Sequence, residues 1–394
     1  NTVRRAQEVY EQLQDDFGEG TVELHHSQFT AWDRSDREKR LVSALGPSAH
    51  RGTGRPERFI VVGTQVLEQS LDIDFDLLIT DLAPGDSLAQ RVGRLHRHAR
   101  PTDDRPAGLS SPVLHIRGVD MAGPVPVPDA GATAVYGDRV LLATLAALRP
   151  FLDGGPWCLT HELESVVENI YGPTQDVPNT WREVYDRTAR KEQTCAAESR
   201  QRSATFQLTA LAQSQGYLTE VFKPMIAQDA ERSESVALAH VRDIEPSVEV
   251  LLVQEKGGLL SPLPGALPQR GDRTEWSVTE TAVPPPRFAR AVAMSSVRLP
   301  RWLVAPWELD AAIAELEDQG MRAWQADFRL RGQLVLRLDG ELRGELLGKS
   351  FLYDPRLGIH PVELAAPDAS DPWCDDTEEY DVMDDQLDYG KDLQ

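Results

Sequence analysis

The chain of 394 residues carries a formal net charge of −22, with 41% hydrophobic and 7% aromatic residues. This length permits two or three domains with a buried core and excludes a disordered adaptor. Cys158, Cys195 and Cys374 lie far apart and form no C-x-x-C pair, which excludes a disulfide framework and a cysteine zinc site.

No uninterrupted apolar run approaches the ~18 residues of a membrane helix. The start has no signal-peptide pattern, so a cytoplasmic chain without membrane contact is expected. Asn1 in place of Met, leading straight into a helical pattern, reads as a point within a longer polypeptide. The acidic balance is unlike the basic footprint of a nucleic-acid binder. From Asp368 onward, however, eleven acidic residues face Lys391 alone, a net of −10, so much of the excess is tail. A strand gripped through hydroxyls, backbone amides and a few Arg needs no global basic face.

Val3, Ala6, Val9, Tyr10, Leu13 and Phe17 line one side of a first helix, which Gly18 and Gly20 end. A strand follows over Thr21 to His25, then the turn His25-His26-Ser27-Gln28-Phe29. One ring of the His25-His26 pair is expected to pack and the other to be solvated, because no nearby carboxylate or third ligand completes a metal site. A charged helix over Ser35 to Leu45 has Leu41, Val42 and Leu45 as its apolar side, and the loop 46–58 leads on.

The apolar run Phe59 to Val62 reads as a buried parallel strand stopped by Gly63. Thr64 and Gln65 then sit at the strand end, where ligands gather in open α/β sheets. A second run, Leu77 to Thr80, passes through Ala83-Pro84-Gly85 to Asp86, the expected N-cap of a helix carrying Gln90, Arg91, Gly93, Arg94 and Arg97. Spaced three apart, Arg94 and Arg97 share a face of that helix. Two guanidinium forks so placed suit the charge that develops on a transferred phosphoryl group; a solvated basic face is the plainer alternative. His96 and His98, two apart on the same helix, point to different sides and make no metal pair.

Thr64-Gln65-Val66 with Ser70-Leu71-Asp72-Ile73-Asp74 resembles motif V of superfamily 2 helicases. Gln90-Arg91-Val92-Gly93-Arg94-Leu95-His96-Arg97 resembles motif VI, and the His25 to Phe29 turn resembles motif IV. The wording EQSLDIDFD, LITDLAP and QRVGRLHRH is most similar to the type I CRISPR-associated helicase-nuclease family, CRISPR-associated protein three, over roughly the first hundred residues. SSVRLPRWLV resembles the terminal domain of that family, which closes over the DNA path. The resemblance implies that Arg94 and Arg97 act as arginine fingers on the γ-phosphate of ATP, with Asp72 near the ribose and Gln90 in the same nucleotide site. It places Ser27, Thr64 and Gln65 along single-stranded DNA. Gln90 stands where many relatives carry His, and Ser70 where many carry Gly.

The resemblance also implies an N-terminal nuclease and first helicase lobe of the same protein. Those parts would bind most of the ATP and its Mg2+, and an HD-type centre there would hold a divalent nuclease metal. An RNA-guided CRISPR surveillance complex is the implied recruiting partner. Gly344-Glu-Leu-Leu-Gly348-Lys349-Ser350 is no phosphate loop: three residues rather than four separate its glycines, and the sequel Phe-Leu-Tyr-Asp-Pro is not helical. It reads as the end of a hairpin strand. Arginine fingers without a phosphate cradle cannot hydrolyse ATP, so this segment alone is expected to be inactive.

A strand at Val113 to Ile116 completes an α, β, α, β, β, α, β order, which fits an α/β fold: a RecA-like superfamily 2 helicase lobe with a mainly parallel sheet. Helices at Val135 to Leu148, Leu159 to Asn169 and Asn179 to Leu211 form an extension from about residue 135, and the lobe is placed at 1–216. A linker is expected over 217–272, containing a strand candidate at Val248 to Val253. A small α+β C-terminal domain follows over 273–367, and an acidic tail over 368–394. Within that domain strands are expected at Arg290 to Leu299 and Arg301 to Val304, a helix at Pro306 to Gln319, and a hairpin over Gln333 to Leu347 turning at Asp339-Gly340. Two other functions stay open. A non-catalytic scaffold is favoured by the missing P-loop and the acidic tail. An enzyme acting on RNA or branched DNA would be distinguished by its response to the 2′-hydroxyl.

Overall fold

The structure, a computed structural model, describes residues 2–68, 71–152, 154–204, 247–266 and 276–362. Ser70, most of the expected linker, Cys374 and the acidic tail lie outside the described residues.

The first unit is built on two parallel pairs of four-residue strands. Helix α1 (Val3–Phe17) leads to β1 (Val22–His25), α2 (Ala31–Leu45), the short β2 (His50–Arg51) and β3 (Gly54–Arg55), and β4 (Ile60–Gly63). β4 lies parallel to β1, with His25 opposite Gly63. Then come β5 (Leu78–Asp81), α3 (Gly85–Val92) and β6 (Leu114–Arg117), with β6 parallel to β5. Parallel pairs joined by helical crossovers give the mainly parallel α/β lobe expected of a RecA-like fold.

Beyond β6, the antiparallel pair β7 (Val119–Asp120) and β8 (Val127–Pro128) is followed by helices α4 (Ala130–Tyr136), α5 (Asp138–Leu152), α6 (Leu159–Tyr171) and α7 (Arg182–Ala204). α5 is apolar on most of its circumference. Its Leu141, Leu142, Leu145 and Leu148 meet Leu82 and Leu88 of the lobe and Val166 and Ile170 of α6. The helical extension is thereby fused to the lobe through one core.

The second unit centres on β9 (Glu249–Lys256). It pairs antiparallel with β10 (Leu259–Ser261) and β11 (Ser296–Arg298), and parallel with β12 (Leu334–Leu338). Helix α8 (Pro286–Ala293) precedes β11, and α9 (Leu309–Asp318) precedes β12. A three-stranded antiparallel sheet, β13 (Arg343–Leu346), β14 (Lys349–Asp354) and β15 (Gly358–Pro361), closes the unit. The pleat sorts the centre cleanly. Val250 and Leu252 face Val297, Leu316, Leu336 and Phe351, whereas Leu251 and Val253 face Phe288, Trp324 and Val335.

Several expectations are corrected. The run Val248 to Val253, read as part of a linker, is the central strand of the C-terminal sheet; a strand buried on both faces shows no polar alternation to mark it. Residues 290–293 are helix rather than strand, because Pro286 opens α8 and Phe288, Ala289 and Val292 recur at helical spacing. Arg301 to Val304 is a turn, with Leu303 and Val304 amides both bonded to Pro300 O. The two-residue hairpin turn is Leu347-Gly348, both at positive φ (53° and 72°), not Asp339-Gly340. Asp339 instead accepts the amides of Glu341 and Arg343. The Gly344 to Ser350 segment is this hairpin, as its sequel implied. α2 starts at Ala31, ahead of the expected Ser35, because Thr30 caps it through Asp33 N at 3.3 Å. Both His25 and His26 are buried, at 1% and 0% exposure, so neither ring is the solvated one.

Candidate functional site

The motif VI helix is shorter than its sequence suggests. Pro84, not Asp86, is the N-cap of α3, and Asp86 accepts a hydrogen bond from Tyr171 OH at 2.9 Å. The helix stops at Val92, and Arg94, His96 and Arg97 lie beyond it. Tertiary pairing takes the backbone groups that another helical turn would need. Phe75 N donates to Arg94 O at 2.8 Å, and His96 N donates to Phe75 O at 3.0 Å. Arg94 and Arg97 are therefore positioned by a bridge to motif V rather than by a shared helix face, and His96 and His98 are not on a helix either.

That bridge assembles the candidate nucleotide residues. Arg97 Nε donates to Asp72 Oδ1 at 2.7 Å, with the two side chains 41% and 53% exposed. His98 Nε2 lies 3.5 Å from the same oxygen. The Arg97 hydrogen bond holds the Asp72 carboxyl below the usual carboxylate range. Arg94 Nη2 donates to Glu68 O at 3.0 Å, while its buried Nε has no partner among the described residues. Partial burial, and then the Arg97 charge, lower the Arg94 pKa against the pull of Asp72. An orphaned buried N–H beside a half-exposed guanidinium fits an incoming anion such as a phosphate group. Gln90 is exposed on α3, and no hydrogen bond joins it to these residues.

The candidate DNA residues gather at the other end of the same segment. Ser27 follows β1 and Thr64 follows β4, so both lie at the C-terminal edge of one parallel pair, where Thr64 N donates to His25 O at 3.2 Å. A single 3-10 turn, Gln65–Glu68, then runs from Thr64 to the arginines. Gln65 Nε2 donates to Tyr136 OH at 3.2 Å, which occupies its amide with α4. At the far end Glu68 takes Arg91 Nε at 2.8 Å and Nη2 at 2.7 Å. Arg91 also reaches Thr80 Oγ1 at 2.6 Å and Tyr136 OH at 3.1 Å. One turn of chain thus spans the two candidate sites, with Arg91 and Tyr136 bracing it.

Sequence reasoning missed this brace and a second one. Asp74 is fully buried, yet it is paired with Arg100 and lies 3.1 Å from Arg105 Nη2. Burial alone would raise its pKa, but the two guanidiniums outweigh burial and hold the carboxyl ionised below its usual range. Arg105 and Arg55 also clasp Asp76, at 2.6 and 3.0 Å. The alternation of Asp72, Asp74 and Asp76 with apolar residues was the available signal; it does not say which arginines they meet. Among the described residues no cluster of three or more His, Cys, Asp or Glu side chains is placed to hold a metal ion. No described helix is long and apolar enough to cross a membrane.

Comparison with known proteins agrees with the family resemblance in both units. Residues 1–100 match the family "CRISPR-associated nuclease/helicase Cas3, C-terminal", and residues 242–359 match "Cas3 C-terminal domain". The chain is 32% identical over 367 residues to the CRISPR-associated nuclease/helicase Cas3 of Streptococcus thermophilus, covering 91% of the chain and 37% of the relative. It is 32% identical over 361 residues to the Cas3 endonuclease/helicase of Thermus thermophilus, covering 86% and 34%. Among solved structures, a CRISPR-associated protein superposes with a TM-score of 0.69 at 29% identity, over 91% of this chain and 37% of that one. The Cas3 of T. fusca superposes with a TM-score of 0.64 at 24% identity, over 91% and 38%, and shares the fold. The chain spans a little over a third of the length of the relatives it matches. With matches in both units and homology across most of its length, the chain belongs to the CRISPR-associated Cas3 nuclease/helicase family and corresponds to the C-terminal part of its members.

Proposed function

We propose that this chain is the second motor lobe and C-terminal domain of an ATP-driven, single-stranded DNA helicase and nuclease acting in CRISPR antiviral defence. One observation carries the reading: the Phe75–Leu95 bridge brings Arg94, Arg97 and Asp72 together at an exposed edge, one 3-10 turn from Thr64. When bound, ATP supplies the phosphoryl group whose transfer drives the motor. Arg94 offers its unpartnered Nε to the phosphate, and Arg97 leaves Asp72 to join it, so two positive charges face the developing negative charge. Asp72, ionised throughout, is released toward the ribose. Because Glu68 accepts from both Arg91 and Arg94, movement of the arginines pulls on the turn that ends at Thr64. Cleft closure against a first lobe is thereby converted into movement along DNA held at Ser27 and Thr64.

The first lobe and nuclease of the same protein complete this reading. They would hold the ATP phosphates, the accompanying Mg2+ and the nuclease metal. An RNA-guided surveillance complex that has opened a target duplex is the partner that delivers the strand. The test is ATP hydrolysis stimulated by single-stranded DNA, measured for this chain alone and for an enzyme containing both lobes, with Arg94→Ala as the variant. Activity in the two-lobe enzyme only, reduced about a thousandfold by Arg94→Ala, supports the trans-lobe arginine finger. An inactive two-lobe enzyme, or an active Arg94→Ala variant, leaves the lobe as a scaffold.

A further inference from the structure

We propose that the turn between β14 and β15, Pro355 to Leu357, together with Gly358 at the start of β15, is a positioning element for the Ser27 loop, so that the C-terminal unit sets the shape of the DNA-facing turn of the motor lobe. The functional half of this inference rests on the DNA path proposed above; the structural half does not.

The contact begins in the core. Leu357 is 8% exposed and sits among Ala6, Tyr10, Val22, Leu24 and Phe29, so a side chain of the C-terminal unit completes the core of the first pair of strands. Burying one Leu contributes about 1.5–3 kcal/mol. Polar groups converge on the same residue. Leu357 O accepts from Gln7 Nε2 at 2.7 Å and from His26 Nε2 at 3.0 Å. His26 Nδ1 accepts Gln28 N at 3.1 Å, which puts the ring hydrogen on Nε2 and makes the neutral ring a strut between the two chain segments. Burial and then Arg37 lower the His26 pKa to about 3, so the strut stays neutral at physiological pH.

Two further contacts finish the clamp. Ile359 N donates to Gln28 O at 3.1 Å. Gly358 has φ +76°, and a Cβ there would stand 2.6 Å from Gln28 O and 2.9 Å from His26 Cε1, so no other residue permits this approach. The residues on both sides of Ser27 are thus held by one turn. At the end of the loop, Tyr353 OH meets Thr30 N at 3.2 Å and Asp33, fixing the cap of α2. Arg37 donates to Pro355 O. The Ser27 hydroxyl itself makes no hydrogen bond among the described residues, which leaves it available to a phosphate oxygen.

The test uses Leu357→Ala and Gly358→Ala, with Leu357→Met as the conservative control, and has two arms. In this chain, amide hydrogen exchange at 26–30 is expected to quicken about tenfold in the first two variants. Exchange in α5 is expected to hold, and Leu357→Met to resemble the unaltered chain. In the two-lobe enzyme, the oligo-dT concentration giving half-maximal ATP hydrolysis is expected to rise about tenfold, as when a binding-competent loop falls to a tenth of its population. KM for ATP and the DNA-independent rate are expected to stay unchanged. Unaltered exchange at 26–30, equal acceleration in α5, or faster local exchange without a change in oligo-dT dependence would each overturn the proposal. A two-lobe enzyme that does not respond to DNA at all removes the proposed function instead, and the exchange arm still decides whether the turn shapes the loop.

Discussion

Two carboxylates two residues apart in motif V use arginine in opposite ways. Asp72 meets Arg97 at the surface, each about half exposed, whereas Asp74 meets Arg100 and Arg105 with no exposure at all. An exposed pair is screened by water and salt and exchanges partners at little cost. A buried one has given up hydration on both sides and cannot lose a partner cheaply. The same chemistry therefore yields a contact that can open for a ligand and a lock that holds the frame around it.

The largest expected effect breaks the lock. Asp74→Ala removes the buried counter-charge that Arg100 and Arg105 share, leaving Arg100 with backbone carbonyls and Arg105 with Asp76, and denaturant unfolding should show a loss of about 3–5 kcal/mol. A loss below about 1 kcal/mol would mean that the buried pair is no different in kind from the exposed one.

A pH titration sharpens the contrast between burial with a counter-charge and burial without one. Burial, and then the Arg37 charge, lower the pKa of His25 to about 4 and that of His26 to about 3. Below the unfolded value of about 6.5 the unfolded chain binds protons that the folded chain refuses, so stability falls as pH falls. The expected slope is about 1.4 kcal/mol per pH unit for each ring between pH 6.5 and 4, roughly halved by His25→Gln. Asp74 behaves in a different window. Its depressed pKa contributes stability at all pH values above its unfolded value of about 3.9, and that contribution is lost only as pH falls through the folded value. Unfolding free energies measured from pH 8 to 3 separate the two; a flat curve from 6.5 to 4 would contradict the buried neutral rings.

The smallest effect comes from the exposed pair. Asp72→Ala should leave the thermal midpoint unchanged within error at physiological salt. A clear drop would make Asp72 a structural partner and remove the basis for Arg97 leaving it.

The legible part of this protein is the part in which the candidate residue types recur at short spacing. Thr64-Gln65, Asp72 and the Gln90 to Arg97 run can be read because strand ends and converging guanidiniums need those residues within a few positions of one another. The parallel pairs β1–β4 and β5–β6 follow from apolar runs separated by helical pattern. What could not be read is pairing across distance. α3 looks as though it should continue through Arg97, and it stops because Phe75 claims the backbone of Arg94 and His96. β9 looks like linker, because its parallel partner Leu334–Leu338 is more than eighty residues away and both its faces are apolar.

The sequence by itself determined the α/β class of the first lobe and the identity of its candidate arginines, both of which are local properties of residue type and spacing. Only the tertiary structure decided that those arginines are aimed by motif V rather than by a helix. It also decided that Asp74 is a lock while Asp72 is free to open, and that a glycine turn near residue 358 shapes the loop at Ser27. Burial and long-range hydrogen bonding set these outcomes, and neither can be assigned until the distant segments have met.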